Sequence, residues 1–177
     1  MGSAGDTNSI DPATLITVLE QLSLERLNRA RLRPGDEAAA GGIAIDEGLP
    51  PGALNITPKQ PLAMNPTLHL SAIGHSRDML DRDYFAHISP EGVSPFDRMQ
   101  IAGYLFVHAG ENLAWRGTTG TLDPVRTVET QHRDLFVDEG IEDRGHRVTM
   151  LNPNLREVGI GIVPGSFTDE TGMVYTD

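Results

Sequence analysis

Apolar residues recur at helical spacing in several stretches of the chain. From Pro12 to Arg33 the positions Leu15, Val18, Leu19, Leu22, Leu27 and Ala30 recur at helical spacing, with Asp11 placed to cap and Pro34-Gly35 placed to stop the run. Asn65-Pro66 opens a second helix, with Leu68, Ala72, Met79 and Leu80 on its inner face and an end near Asp83. Ser94-Pro95 starts a short helix to Ala102 that Gly103 ends. A further helix starts at Asp123-Pro124 and runs to Gly140, with Val125, Val128, His132, Leu135 and Phe136 along one face. Gly145–Leu151 is a last helical turn, stopped by Asn152-Pro153. Between these, residues 34–62 are rich in Pro and Gly without a period and predict a long ordered loop, the kind that is often functional. Ser89-Pro90-Glu91-Gly92 reads as a β-turn and Tyr104–Val107 as a short strand or extended stretch. Val158–Val163 and Met173–Thr176 read as strands of a hairpin that turns near Asp169–Gly172. Helices first and a closing antiparallel hairpin last make this α+β, not alternating α/β.

Composition narrows the function classes. At 177 residues the chain predicts one domain, with residues 1–11 a small, polar leader and residues 12–177 the fold itself, its last strand expected to be cut short. Fourteen basic against 25 acidic residues give a net charge of −11. That balance argues against nucleic acid and against docking on anionic lipid through basic residues. Cysteine is absent, which removes disulfides, thiolate metal sites and cysteine nucleophiles. No apolar run reaches the ~18 residues of a membrane span.

Among the six histidines, His87 and His146 stand at loop–helix junctions, His87 after Tyr84-Phe85-Ala86 and His146 after Arg144-Gly145. There a ring can face a cleft for proton transfer or metal ligation, or can simply hydrogen-bond loop carbonyls. Glu111, between Gly110 and Asn112-Leu113-Ala114-Trp115, reads as a partly buried carboxylate that either braces loops or orients a histidine. His132, centred on an apolar stripe, reads as a satisfied core histidine. Glu129-x-x-His132 and Asp143-x-x-His146 match the spacing of di-iron helices, but the four long glutamate-bearing helices such a site needs are missing.

Four ordered stretches carry a resemblance. They are His75–Met79 running to Tyr84-Phe85-Ala86-His87-Ile88-Ser89-Pro90; Ser94-Pro95-Phe96-Asp97-Arg98 to Ala102-Gly103-Tyr104; Gly110-Glu111-Asn112-Leu113-Ala114-Trp115; and Gly145-His146-Arg147 to Leu151-Asn152-Pro153-Asn154 with Glu157-Val158-Gly159-Ile160-Gly161. Together, over roughly residues 13–177, they resemble the bacterial branch of the CAP superfamily, the SCP-like group that includes the pathogenesis-related 1 proteins. The resemblance implies an α–β–α sandwich with a small antiparallel sheet between helical layers. It implies an extracellular or cell-surface protein, exported by a signal peptide outside this sequence. It also implies a cleft of two histidines and two acids that in several members holds zinc or another divalent ion. His87 and His146 match the histidines, and Glu111 the first acid. For the second acid Asp138 comes first, then Glu139, then Glu129, and Asp138 qualifies only if its helix unwinds before Gly140. These four residues, His87, Glu111, Asp138 and His146, are the candidate tetrad, with His87 and His146 as the metal ligands. The function expected is an interaction module, monomeric in isolation, for a protein, glycan or lipid partner. A metal- or His/Glu-dependent peptidase is the alternative, and lipid or sterol binding ranks last because no segment clearly forms a groove.

Overall fold

The computed structural model describes residues 12–168 and 174–176. Helix α1 spans Pro12–Leu32. The expected loop then begins with a helix instead, α2 at Pro34–Gly41. Pro34 does not only stop α1: it occupies the first turn of α2, where its missing N–H costs nothing. Ala38, Ala39 and Ala40 propagate the helix, and Gly42 closes it at φ 77°, its N–H bonding to the Ala38 and Ala39 carbonyls. Helix α3, Pro66–Asp81, is capped by the Asn65 side chain, which accepts from the N–H groups of Thr67 and Leu68. Helix α4, Pro95–Ile101, starts in a capping box in which Ser94 and Asp97 satisfy each other's backbone N–H. Helix α5 spans Pro124–Val137 under an Asp123 cap. A 3₁₀ turn at Glu142–Arg144 leads into α6, Gly145–Met150. The cap expected from Asp11, the leader and the 169–172 turn lie outside the described residues.

The strands differ from expectation more than the helices do. β1 (Ala63–Met64) pairs in parallel with β2 (Glu157–Val158), and β3 (Ser166–Thr168) pairs antiparallel with β4 (Val174–Thr176). The closing hairpin is therefore present, but its first strand is Ser166–Thr168 and not Val158–Val163. The reason is local. Beyond Val158 the chain lies directly on α3, where a Cβ on Gly159 would meet the Leu68 backbone and one on Gly161 would sit 2.6 Å from the Ala72 carbonyl carbon. Its polar groups go to side chains: His69 Nδ1–H donates to Ile160 O at 2.6 Å, Ser76 Oγ–H to Gly161 O at 3.1 Å, and Glu20 Oε1 accepts from Ile162 N at 3.3 Å. Alternating glycines here serve close packing on a helix rather than a ladder. Tyr104–Val107 forms no strand either. The Tyr104 N–H closes α4 on Met99 O, its hydroxyl donates to Glu157 Oε2 at 2.8 Å, and Leu105 and Val107 are exposed.

The buried core joins Ala30 of α1, Ala38 of α2, Phe136 of α5 and Met150 and Leu151 at the end of α6. Two fully buried arginines stitch it. Arg31 donates to the carbonyls of Gln60, Met150, Asn152 and Leu155. Arg147 donates to those of Phe136, Val137, Ile45 and Glu47. A buried guanidinium must fill its donors, and here loop and helix-end carbonyls fill them without a carboxylate. On the same face of α5 as Phe136, against which its ring stacks, His132 donates Nε2–H to Glu37 Oε1 at 3.1 Å, as a core histidine tied to α2.

Two predictions concern this frame. Gly161→Ala should destabilise the protein by about 2–3 kcal/mol through overpacking, while Gly74→Ala, on α3 with open space beside it, should be neutral or stabilise by up to about 1 kcal/mol. Urea denaturation midpoints separate the two. The His132 hydrogen bond holds the Glu37 carboxyl below its ordinary value of 4.5. A depressed carboxyl stabilises above its unfolded value and loses that contribution as pH falls through the folded one. Stability measured from pH 5 downward should therefore fall less steeply in Glu37→Gln than in the wild type.

Candidate functional site

Each candidate histidine is bound to a carboxylate. His87 follows the α3–α4 turns, and its Nδ1 lies 2.9 Å from Glu111 Oε1. His146, in the first turn of α6, places Nδ1 2.7 Å from Asp138 Oδ1. A carboxylate can only accept, so Nδ1 carries a hydrogen in both rings, and in the neutral ring Nε2 is then the atom with the lone pair. Consecutive residues link the halves: Glu111 holds the His87 ring, and Asn112 Nδ2 donates to His146 O at 3.1 Å. Gly110 precedes them where a Cβ would press on Thr149 of α6, so the segment approaches that helix closely.

Asp138 reaches this position because α5 ends at Val137. Asp138 adopts the left-handed conformation (φ 57°, ψ 36°), one that aspartate tolerates better than most residues. That turn takes its carboxylate off the α5 face and aims it at α6. Oδ2 accepts from the N–H groups of His146 and Arg147 at 2.9 and 3.2 Å, so Asp138 caps the start of α6 and orients His146 at once. The condition posed by the sequence, unwinding before Gly140, is met. The other two acids are placed elsewhere: Glu139 is exposed, and Glu129 pairs with Arg26.

Glu111 has a second partner that sequence reading passed over. Arg98 Nη2 bonds both its oxygens, at 2.9 and 2.7 Å, and Arg98 Nη1 donates to His87 O at 2.9 Å. Behind it, buried His75 donates Nε2–H to Ala86 O at 3.0 Å, and burial, helped by the charge of Arg98, holds its pKa below the usual histidine value. Tyr84 donates to Asp78, and burial with that bond raises its phenol to about 12. Arg98 was visible in the Ser94–Arg98 motif, but nothing in a sequence says which carboxylate an arginine will meet.

The donor set is consequently narrow. All four carboxylate oxygens of Glu111 and Asp138 are engaged, leaving the two Nε2 atoms as open donors. Among the described residues no group of three or more His, Cys, Asp or Glu is arranged around a common point for a metal ion. Neutral imidazole with a carboxylate behind it is the donor chemistry that borderline cations take.

Below Glu111 and Asn112, which also line it, lies a cavity of about 820 Å³ between α1, α3, α5 and the 157–163 segment. Leu19, Leu27, Ala72, Met79, Val128 and Leu135 are among its walls. The sequence shows no clear groove-forming segment, and the structure nonetheless has this cavity. Its walls come from residues far apart in sequence, which no local pattern reveals.

Among the described residues no helix is long and apolar enough to cross a membrane. The family model of the cysteine-rich secretory protein family, CAP, matches residues 24–176. YkwD of Bacillus subtilis (strain 168) is 36% identical over 117 residues, covering 66% of this chain and 38% of the relative. The membrane protein YlbC of the same organism is 31% identical over 91 residues, 51% of this chain and 22% of the relative. The chain thus spans less than half the length of the curated relatives it matches. In a 1.5 Å crystal structure, an extracellular SCP-domain protein from Bacillus anthracis str. Ames has the same fold, with a TM-score of 0.52 and 20% identity over 96% of this chain and 43% of that one. With α+β architecture, four ordered motifs and this match, the chain belongs to the CAP family.

Proposed function

We propose that this is an extracellular CAP-family module whose paired histidines hold a divalent cation, zinc first, in a cleft used for binding a partner. The observation that supports it is the matched state of the rings: each is fixed through Nδ1 by a carboxylate and offers Nε2. Neutral imidazole backed by carboxylate is a strong zinc donor. With two protein donors and water in the remaining positions, affinity should be modest. An extracellular setting is supported by the Bacillus anthracis structure's description as an extracellular protein. The partner, whether protein, glycan or lipid, is chosen by surface that the metal site does not define. The same Nε2 atoms would act as bases in a hydrolase, but no nucleophile is placed beside them by any bond described above.

Calorimetric zinc titration at pH 7.5 tests the reading. Wild type should bind one equivalent, and His87→Ala and His146→Ala should each abolish it. Asp138→Asn, which keeps a residue tolerant of the left-handed conformation, should weaken binding by about 10–100-fold. Affinity should fall on acidification, because protons and the cation compete for Nε2. Binding indifferent to both histidine substitutions overturns the proposal.

The cavity favours a second reading, an apolar ligand. Its volume lies within the range of small-molecule sites. Two lining residues, His75 and Asn112, have buried acceptor atoms, Nδ1 and Oδ1, without a hydrogen-bond partner among the described residues. A ligand with an apolar body and a hydroxyl would satisfy one of them, since a hydroxyl donates a single hydrogen. Dodecanol should then displace a fluorescent apolar probe from one saturable site. Ala72→Phe should reduce that binding and His87→Ala should leave it unchanged. Equal binding by wild type and Ala72→Phe rejects this reading.

A further inference from the structure

Of the two histidine–carboxylate pairs, only one is gripped by a cation. Asp138 meets backbone N–H groups and a ring, and the guanidiniums nearest to it in sequence, Arg144 and Arg147, spend their bonds on carbonyls. Glu111, by contrast, is met by Arg98, whose Nη2 bonds both its oxygens, with side-chain exposures of 16% and 13%. The contact is charge-assisted and runs through that one nitrogen, while Nη1 serves backbone carbonyls. The same guanidinium also holds the His87 carbonyl at 2.9 Å and the Val93 carbonyl at 3.1 Å. Arg98 therefore fixes His87 at both ends, its backbone directly and its ring through Glu111. That matters because the His87 side chain is 48% exposed, so little packing restrains it.

We propose that Arg98 is the positioning residue of the His87 half of the site: by engaging both oxygens of Glu111 it keeps that carboxylate as a hydrogen-bond acceptor for the ring and off any bound cation, so that His87 presents Nε2. The metal part of this inference rests on the reading of the site as a cation site. The positioning part does not. A carboxylate released from Arg98 is free to rotate and to ligate directly, and a ring released from that carboxylate has no reason to keep its hydrogen on Nδ1, since the other neutral tautomer dominates in free histidine. His75 supports the same segment from behind through Ala86 O, and its neutral ring adds no competing positive charge.

Two readouts test this on the whole chain. In the first, without metal, long-range ¹H–¹⁵N spectra of the imidazole rings report the His87 tautomer. Wild type should show Nδ1–H, Arg98→Met a mixture, and Arg98→Lys partial recovery, while the His146 ring stays unchanged in all three. A wild-type His87 tautomer retained in folded Arg98→Met overturns the proposal. In the second, cobalt(II) is the probe. Glu111→Gln is the reference, because it removes the carboxylate whether or not that group ligates. Arg98→Met should shift the visible spectrum away from wild type, and Arg98→Met with Glu111→Gln should match Glu111→Gln alone. A spectrum unaltered by Arg98→Met, or a shift that persists in the double variant relative to Glu111→Gln, overturns the exclusion of Glu111 from the cation. If wild type gives no cobalt spectrum, the cation reading falls and the tautomer measurement alone decides the role of Arg98. Circular dichroism melts of each variant separate these effects from unfolding.

Discussion

The junction of α5 and α6 depends on one reciprocal interaction. The Arg147 guanidinium, buried without a carboxylate partner, takes up the last carbonyls of α5 at Phe136 and Val137, while the Asp138 carboxylate at the end of α5 accepts the Arg147 and His146 N–H groups at the start of α6. A helix end leaves carbonyls unsatisfied and a helix start leaves N–H groups unsatisfied. Here each end supplies what the other lacks. The same guanidinium reaches Ile45 and Glu47, so the loop after α2 is tied to the joint as well. Asp138 can take its left-handed turn because the joint around it is satisfied, and that turn is what brings a carboxylate to His146. The histidine–carboxylate geometry of the His146 half is thus a by-product of how two helices are joined.

The two halves of the site reach one outcome, a ring with hydrogen on Nδ1, by different physics. The His146 half is built on helix termini and backbone N–H groups, with Asp138 almost wholly out of solvent. The His87 half is built on turns, with an ion pair in the role that backbone plays in the other. Fixed backbone dipoles cost no reorganisation and are little affected by salt, while an ion pair near the surface is screened more. The cavity beneath shares Glu111 and Asn112 as walls, so the floor of the cleft and the roof of the cavity are the same short segment.

Much of this was legible in the residues. Asn65, Ser94 and Asp123 announced three helix starts and each side chain makes its cap, because capping needs only atoms within three residues of each other. Asp138 was named with the condition that α5 unwind before Gly140, and it does. What stayed hidden was non-local. The alternating glycines at 159 and 161 look like a strand, but α3 lies against them and side chains take the backbone bonds. Pro34 looks like the end of one helix and is also the start of the next. Arg31 and Arg147 are, among the described residues, the largest fully buried side chains, and nothing next to them in the sequence marks them as such.

By itself, then, the sequence determined every described α-helix but α2, the caps at Asn65, Ser94 and Asp123, the order of the four motifs and the family they mark, together with the exclusion of every cysteine-based chemistry. All of these depend on residue type and on spacing within a few positions. The tertiary structure decided which carboxylate meets which ring, that Arg98 occupies Glu111, which strands pair, and that an apolar cavity opens under the site. Those outcomes require groups separated by tens of residues to arrive at one place with complementary donors and acceptors. Proximity of that kind is set by the packing of α1, α3, α5 and α6 as a whole, and no local pattern of residues encodes it.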